Sequence, residues 1–214
     1  MPDTLDRIRD ALGRSGAPSS DFDLNPGMQL PAGRVLRPAG VLIAVRSGPS
    51  GTELILTKRS SRLKHHPGQI AFPGGKVDPE DSNMQATALR EAHEEVGLEA
   101  RHVQVIGELP VYVTGTSFWV TPVIGLVSPD FDLQPNPDEV ADVFEVPLAF
   151  LMDPSNHRRH AFEWAGARRE WFSMPYLDDL GSAAAPNKTN LVIERFIWGA
   201  TAGMLRNFYR FLAA

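Results

Sequence analysis

Residues 72–98 read FPGGKVDPEDSNMQATALREAHEEVGL, a glycine-rich turn followed by a helix with clustered acidic residues. Helical periodicity places Glu91, Glu94 and Glu95 within an arc of about 100° on one face. Carboxylates this close repel one another, but a hard divalent cation that prefers oxygen ligands converts the repulsion into binding. A solvated acidic face is the simpler alternative. The stretch predicts a metal site that acts on a phosphorylated compound.

The same stretch defines the limits and the packing face of the helix. Ser82 and Gln85 have the spacing of a capping box, which predicts the start, and Gly97 suits the left-handed residue that ends a helix. Upstream, Gly74 and Gly75 allow the backbone to approach an anion closely. Apolar residues fall mainly on one side of the helix: Met84, Ala88, Leu89, Ala92 and Val96. Together these features favour a catalytic helix over a solvated one.

This segment resembles the Nudix box, G-x5-E-x7-R-E-U-x-E-E-x-G-U, in which U is apolar. The second half matches in register at Arg90, Glu91, Ala92, Glu94, Glu95, Gly97 and Leu98. The first half departs from the pattern, because Asp81 replaces the first Glu and one extra residue precedes Arg90. The resemblance implies a Nudix-type α/β/α sandwich of the α+β class, with a mixed β-sheet and a catalytic loop-helix.

Residues 56–75, LTKRSSRLKHHPGQIAFPGG, carry a second and narrower resemblance. They are similar to the signature of the coenzyme A pyrophosphatase branch of Nudix hydrolases, R-S-x3-K/R-x-H-x-G-Q-x-A-F-P-G-G. The matching residues are Arg59, Ser60, Lys64, His66, Gly68, Gln69, Ala71, Phe72, Pro73, Gly74 and Gly75. The resemblance implies coenzyme A or an acyl-coenzyme A as the substrate.

Roles for the acidic residues follow from phosphoryl chemistry. Glu91 and Glu95, four residues apart, can hold Mg²⁺ or Mn²⁺, and Glu94 is a further ligand or supports the other two. Arg90 can pair with Glu94, so we interpret it as an orienting residue, with direct phosphate contact as the alternative. Nudix enzymes often use a later loop glutamate as the base. Glu139 is the candidate here, although an ordinary acidic loop residue is the alternative.

The basic cluster before the box is the candidate phosphate-binding region. We assign phosphate recognition to Arg59, Lys64 and His66, because a coenzyme A site must bind a 3′-phosphate as well as a pyrophosphate. A solvated loop is the alternative, and it is the interpretation that we prefer for Lys58, Arg62 and His65. Gln69 is expected to position the loop. The sequence predicts Phe72 to be a core residue and His93 to be exposed.

Composition excludes several other classes of protein. The 214 residues carry a net charge of −5, which argues against a general nucleic-acid binder. No cysteine is present, so disulfides and thiolate metal sites are excluded. No apolar run reaches the length of a membrane span, and the charged N-terminus lacks a signal segment. We expect a cytoplasmic protein with no membrane partner, and a homodimer is the candidate assembly.

The pattern along the chain predicts an N-terminal addition (1–33) and a Nudix hydrolase domain (34–214). The addition consists of an amphipathic helix over 3–13 and a linker to about Gly33. Strands are expected at 41–45, 53–57, 70–72, 103–108, 112–113, 117–127, 143–146, 161–164 and 170–172, with helices at 147–152 and 194–212. The N-terminal helix and residues 155–179 either cover the pantetheine arm of the substrate or extend the surface.

The sequence therefore predicts metal-dependent hydrolysis of coenzyme A or its thioesters to 3′,5′-ADP and a 4′-phosphopantetheine product. One alternative is a pyrophosphatase for ADP-ribose, NADH or dinucleoside polyphosphates. Another, from a different class, is a nucleotide-binding regulatory module without turnover. The intact acidic set argues against that module.

Overall fold

The computed structural model describes residues 4–14, 16–28, 33–48, 51–164, 167–180 and 192–213. Its helices are α1 (Thr4–Leu12), α2 (Met84–Val96), α3 (Leu148–Leu151) and α4 (Gly199–Ala213). Its strands are β1 (Ser19–Ser20), β2 (Arg37–Gly48), β3 (Gly51–Arg59), β4 (Ile70–Ala71), β5 (Gly74–Lys76), β6 (Val103–Glu108), β7 (Tyr112–Val113), β8 (Phe118–Val127), β9 (Val140–Pro147), β10 (Arg158–Trp164), β11 (Ala167–Asp179) and β12 (Val192–Trp198).

The central sheet is mixed, as predicted. Its main path runs β1-β7-β8-β2-β3-β4, with β5 paired to β2, β6 to β8 and β9 to β3. The β2–β8 and β1–β7 pairs are parallel, and the other pairs are antiparallel. Strands β10, β11 and β12 form a separate antiparallel sheet.

Two cores lie on opposite faces of the central sheet because its buried strands alternate apolar residues. Leu42 and Ala44 of β2 pack toward α2, whereas Ile43 and Val45 join the larger core on the other face. That larger core also takes up side chains of α1, α3, α4 and the second sheet. The predicted α/β/α sandwich of the α+β class is therefore confirmed.

Helix α2 begins one residue later than the predicted capping box requires. The N-cap is Asn83, whose Oδ1 accepts a hydrogen bond from the Ala86 N–H at 2.9 Å. Gln85 instead donates to Glu108, so the Ser82–Gln85 capping box is wrong. The predicted end is confirmed, since Gly97 adopts a left-handed φ of 69° and its N–H donates to the His93 carbonyl.

The predicted helix over 194–212 is wrong in its first part. Residues of β12 alternate between buried and exposed, and the strand pairs with β11 along its whole length. Ile197 lies three residues before Ala200, a helical spacing that arises by coincidence and extended the predicted helix back into the strand. The helix itself begins at Gly199.

Part of the predicted linker pairs with the central sheet. Ser19–Ser20 pairs with β7, and Asp21 accepts hydrogen bonds from the Tyr112 hydroxyl and the Gly115 N–H, both at 2.7 Å. Ile8 of α1 is fully buried in the larger core. The boundary between residues 33 and 34 stays a prediction, and residues 29–32 of the linker and 49–50 of the hairpin turn lie outside the described residues. No described helix is both long and apolar enough to cross a membrane.

Candidate active site

Glycines bring the backbone of β5 against the carboxylates of α2. A Cβ built on Gly75 would lie 2.4 Å from the carboxyl carbon of Glu91, so any side chain there would displace this group. The Gly74 N–H donates to Glu95 Oε2 at 3.3 Å. The two glycines thus allow the backbone of β5 to lie against Glu91 and Glu95, the two carboxylates that are predicted to hold a metal.

Glu95 is the most buried carboxylate of the site, with 3% of its surface exposed. Burial raises the pKa of Glu95 to about 8, and the charges of Glu91 and Glu139 act in the same direction. Arg59 opposes this shift, since its Nη1 lies 3.5 Å from Glu95 Oε1. One cation at that distance does not balance the buried negative charge.

Glu91 and Glu139 complete an acidic group around Glu95. Burial raises the pKa of the Glu91 carboxyl, with further contributions from the charges of Glu94 and Glu139. Glu139 lies on the loop between β8 and β9, whose backbone contacts the end of β3 through the Ser60 N–H and the Glu139 carbonyl. All three glutamates line one cleft, whereas the exposed Glu94 does not.

The donor set of this group fits a hard divalent cation. No cluster of three or more His, Asp and Glu preformed for a metal is found in the part of the chain that the structure describes. Mg²⁺, however, commonly uses only one or two carboxylates and fills its other positions with water and substrate phosphates. Buried glutamate oxygens with raised pKa values are the ligands that such a cation would stabilise. Glu91 and Glu95 are thus the residues best placed to hold it.

Arg90 lies at the rim and uses all five of its N–H donors within the protein. Nε and Nη2 donate to the two oxygens of Asp81 at 3.0 and 2.9 Å, and Nη2 also donates to the Lys76 carbonyl. Nη1 donates to Glu91 and Glu94, each at 3.0 Å. The guanidinium group in turn lowers the pKa of Asp81 strongly. This geometry favours the orienting role for Arg90 and leaves no donor for phosphate.

The glutamates line one wall of a cleft with a volume of about 860 Å³. Five of the six residues assigned to substrate binding line it too: Arg59, His66, Gln69, Gly74 and Gly75. Lys64 is exposed and lies outside the cleft lining, whereas His65, which we interpreted as a surface residue, faces the cleft. Phe72 is a buried core residue and His93 is exposed, as predicted.

Several cleft residues were missed by sequence reasoning. The cleft is also lined by Arg34, Arg37, Lys76, Thr114, Gly115, Thr116, Trp198, Thr201 and Met204. These residues lie before or at the ends of strands, in the loop of residues 114–117 and on α4, so no single periodic signal connects them.

A second cleft of about 450 Å³ adjoins the first at Gly115, Thr116 and Trp198. Residues 169–172 of β11 and 20–25 of the N-terminal segment line it. Residues 155–179, one of the two segments that the sequence left undecided, therefore meet the predicted linker beside the active-site cleft, whereas no described residue of α1 lines either cleft.

Comparisons with known proteins agree on one family. A sequence model of the NUDIX domain matches residues 36–165. A protein of Enterobacter sp. (strain 638), described as an uncharacterized Nudix hydrolase NudL, is 41% identical over 172 residues, which cover 79% of this chain and 80% of that protein. A protein of Citrobacter koseri with the same description is 40% identical over 173 residues, with the same coverage.

Solved structures also resemble the chain. A Nudix hydrolase from M. smegmatis, RenU, shares 25% identity with a TM-score of 0.44 and covers 56% of this chain and 76% of its own. An Ap4A hydrolase from C. elegans shares 20% identity with a TM-score of 0.45 and covers 53% of this chain and 82% of its own.

Proposed function

The chain belongs to the NUDIX domain family, and from that premise we propose that this hydrolase cleaves the pyrophosphate bond of coenzyme A or its thioesters. The products would be 3′,5′-ADP and 4′-phosphopantetheine or its acyl derivative. The observation that carries the proposal is one cleft in which a buried acidic group faces a cationic signature loop. Acidic groups suit the cation, and the basic loop suits the phosphates.

The substrate assignment draws on the signature residues of 59–75. Seven of them line the cleft: Arg59, His66, Gln69, Ala71, Phe72, Gly74 and Gly75. The Arg59 N–H donates to the Gln69 carbonyl at 2.9 Å and the Gly68 N–H to the Arg59 carbonyl at 3.1 Å, so the loop folds back on the end of β3. This fold supports a binding role for the signature loop.

Each acidic residue has a distinct proposed role. Glu91 and Glu95 would hold Mg²⁺ or Mn²⁺, which when bound withdraws charge from phosphoryl oxygens and lowers the pKa of a nearby water. Gly74 and Arg59 fix the two oxygens of Glu95. Glu139 is proposed as the base that accepts a proton from the attacking water. Arg90 and Glu94 would position Glu91 from the rim.

Product analysis tests this function directly. The protein is incubated with coenzyme A, ADP-ribose and NADH in parallel, with and without Mg²⁺ or Mn²⁺. We expect 3′,5′-ADP from coenzyme A, only with metal. Faster cleavage of ADP-ribose or NADH would contradict the substrate assignment, and nucleotide binding without any turnover would favour the regulatory module. A cytoplasmic location and a homodimeric assembly stay predictions from the sequence.

A further inference from the structure

Two arginines that the signature does not include line the active-site cleft. Arg34 precedes β2 and Arg37 begins it, and both side chains are exposed and line the cleft. The Arg34 Nη1 donates to the Ser117 hydroxyl at 3.2 Å, and the Arg37 Nη2 donates to the Thr116 carbonyl at 3.3 Å. The loop of residues 114–117 therefore holds both guanidinium groups.

The sheet connects these arginines to the acidic group. Arg37, Ala39 and Val41 alternate along one face of β2 and all line the cleft. On the same strand Gly40 pairs with Gly75, which contacts the Glu91 carboxylate. Arg37 is three residues from Gly40, or about 10 Å along the strand. One rigid strand thus carries a cation at a fixed distance from the acidic group.

Neither Arg34 nor Arg37 forms an ion pair with a carboxylate among the described residues, whereas Arg59 and Arg90 pair with glutamates of α2. The hydrogen-bond partners of Arg34 and Arg37 are a hydroxyl and a carbonyl, which are neutral. The Arg37 guanidinium also lies 4.1 Å above the centre of the Phe118 ring, which restricts its position. Lys76, paired with Ala39 in the sheet, adds a third cation to this wall.

We propose that Arg34 and Arg37 form a second anion subsite, which binds a phosphate monoester on the ribose of the substrate. The inference rests on the proposed function, in which the pyrophosphate lies at the acidic group and one ribose separates it from the 3′-phosphate. The fork of N–H donors in arginine suits phosphate oxygens. Arg59 serves the pyrophosphate end, since it contacts Glu95. We therefore assign the 3′-phosphate to Arg34 and Arg37 instead of Arg59, Lys64 and His66.

Calorimetric binding of two nucleotides tests the subsite without turnover. Adenosine 3′,5′-bisphosphate and 5′-AMP are titrated into the wild type, Arg34→Ala, Arg37→Gln and the double variant. We expect the wild type to bind the bisphosphate at least ~10-fold more tightly, because the extra phosphate gains charge-assisted hydrogen bonds. The double variant should lose this preference and keep its affinity for 5′-AMP.

Arg101→Ala is the matched control, because Arg101 is exposed and pairs with Glu99 outside the cleft. Arg34→Ala lies outside the sheet, so it tests the subsite even if Arg37→Gln folds poorly. Equal affinity of the wild type for both nucleotides, or an equal loss for both in the variants, would overturn the subsite. A preserved preference without coenzyme A cleavage would instead overturn the proposed function and leave the subsite standing.

Discussion

Arg59 at the end of β3 contacts Glu95 in the last turn of α2, with Nη1 3.5 Å from Oε1. The contact joins the basic signature loop to the acidic helix, two motifs that are separate in the sequence. Because the Arg59 side chain also lines the cleft, it can contact a substrate phosphate while it supports a buried carboxylate. The same residue therefore connects the binding and the metal-holding parts of the proposed site.

Glu95→Gln and Glu94→Gln should have different effects. Glu95 is buried in the cleft, whereas Glu94 is half exposed and pairs with Arg90 at the rim. We expect Glu95→Gln to lower kcat by on the order of 10³-fold and Glu94→Gln by roughly 10-fold or less. Steady-state kinetics with saturating Mg²⁺ measure both. Equal losses would contradict the separation of the two glutamates, since the sequence left a ligand role open for Glu94.

Metal should stabilise the wild type and not a variant without its ligands. At a free Mn²⁺ concentration 100 times the Kd, binding adds about 2.7 kcal/mol to the free energy of unfolding. For a chain of this size that corresponds to a rise in Tm of roughly 5–10 °C. Thermal unfolding of the wild type and of Glu91→Gln/Glu95→Gln, with Mn²⁺ and with EDTA, tests this. A similar rise in the double variant would place the metal elsewhere.

Arg90→Lys should lower kcat by roughly 10- to 100-fold with little change in KM. Lysine keeps the charge but lacks the planar guanidinium group that contacts Asp81, Glu91 and Glu94 at once. The Glu91 carboxylate would therefore lose its fixed orientation. Kinetics at varied coenzyme A concentration separate the two constants. A rise in KM at unchanged kcat would indicate that Arg90 binds phosphate instead.

Gly75→Ala should impair activity more than stability. The added Cβ would meet the Glu91 carboxylate, the flexible end of a side chain, and would displace it without disturbing the backbone. Gly27→Ala is the control, because a Cβ built on Gly27 would have no atom of the described residues within 4 Å apart from its chain neighbours. Activity and Tm are compared for both variants. An active Gly75→Ala protein would show that Glu91 need not lie against the strand.

His157 should make stability fall in mild acid. Burial lowers the pKa of His157 below its ordinary value of 6.5, with Nε2 2.7 Å from the Leu151 carbonyl and Nδ1 2.9 Å from Arg206 Nη1. Between this lowered pKa and pH 6.5, the folded protein therefore binds fewer protons than the unfolded chain. The contribution of the neutral imidazole is complete above that pH and is lost as the pH falls through the lowered pKa.

Urea unfolding between pH 5 and 8 measures this contribution. His157→Gln, which cannot titrate, should show a flatter dependence of the free energy of unfolding on pH. An unchanged slope in the variant would assign the acid sensitivity to other groups.

Local sequence signals were reliable where the structure depends on near neighbours. The β2 and β3 strands follow from alternating and continuous apolar runs, and the end of α2 follows from Gly97. The start of α2 was misplaced by one residue, because Ser82 and Asn83 are both good caps and only the fold decides which one accepts. The strand β12 was read as helix for a similar reason, since its pairing with β11 overrides a chance helical spacing.

The sequence by itself determined the helix face on which the candidate glutamates lie, because helical periodicity depends on residues within one turn of each other. The family and the mixed-sheet sandwich were implied by the resemblance of two contiguous motifs, which can be read from the chain directly. Tertiary structure alone decided that Arg59 contacts Glu95 and that Arg34 and Arg37 share the cleft with Glu91. These contacts join residues far apart in the chain. They exist because the pairing of β2 with β5 and β8 brings separate segments to one face of the sheet, and no local pattern encodes that meeting.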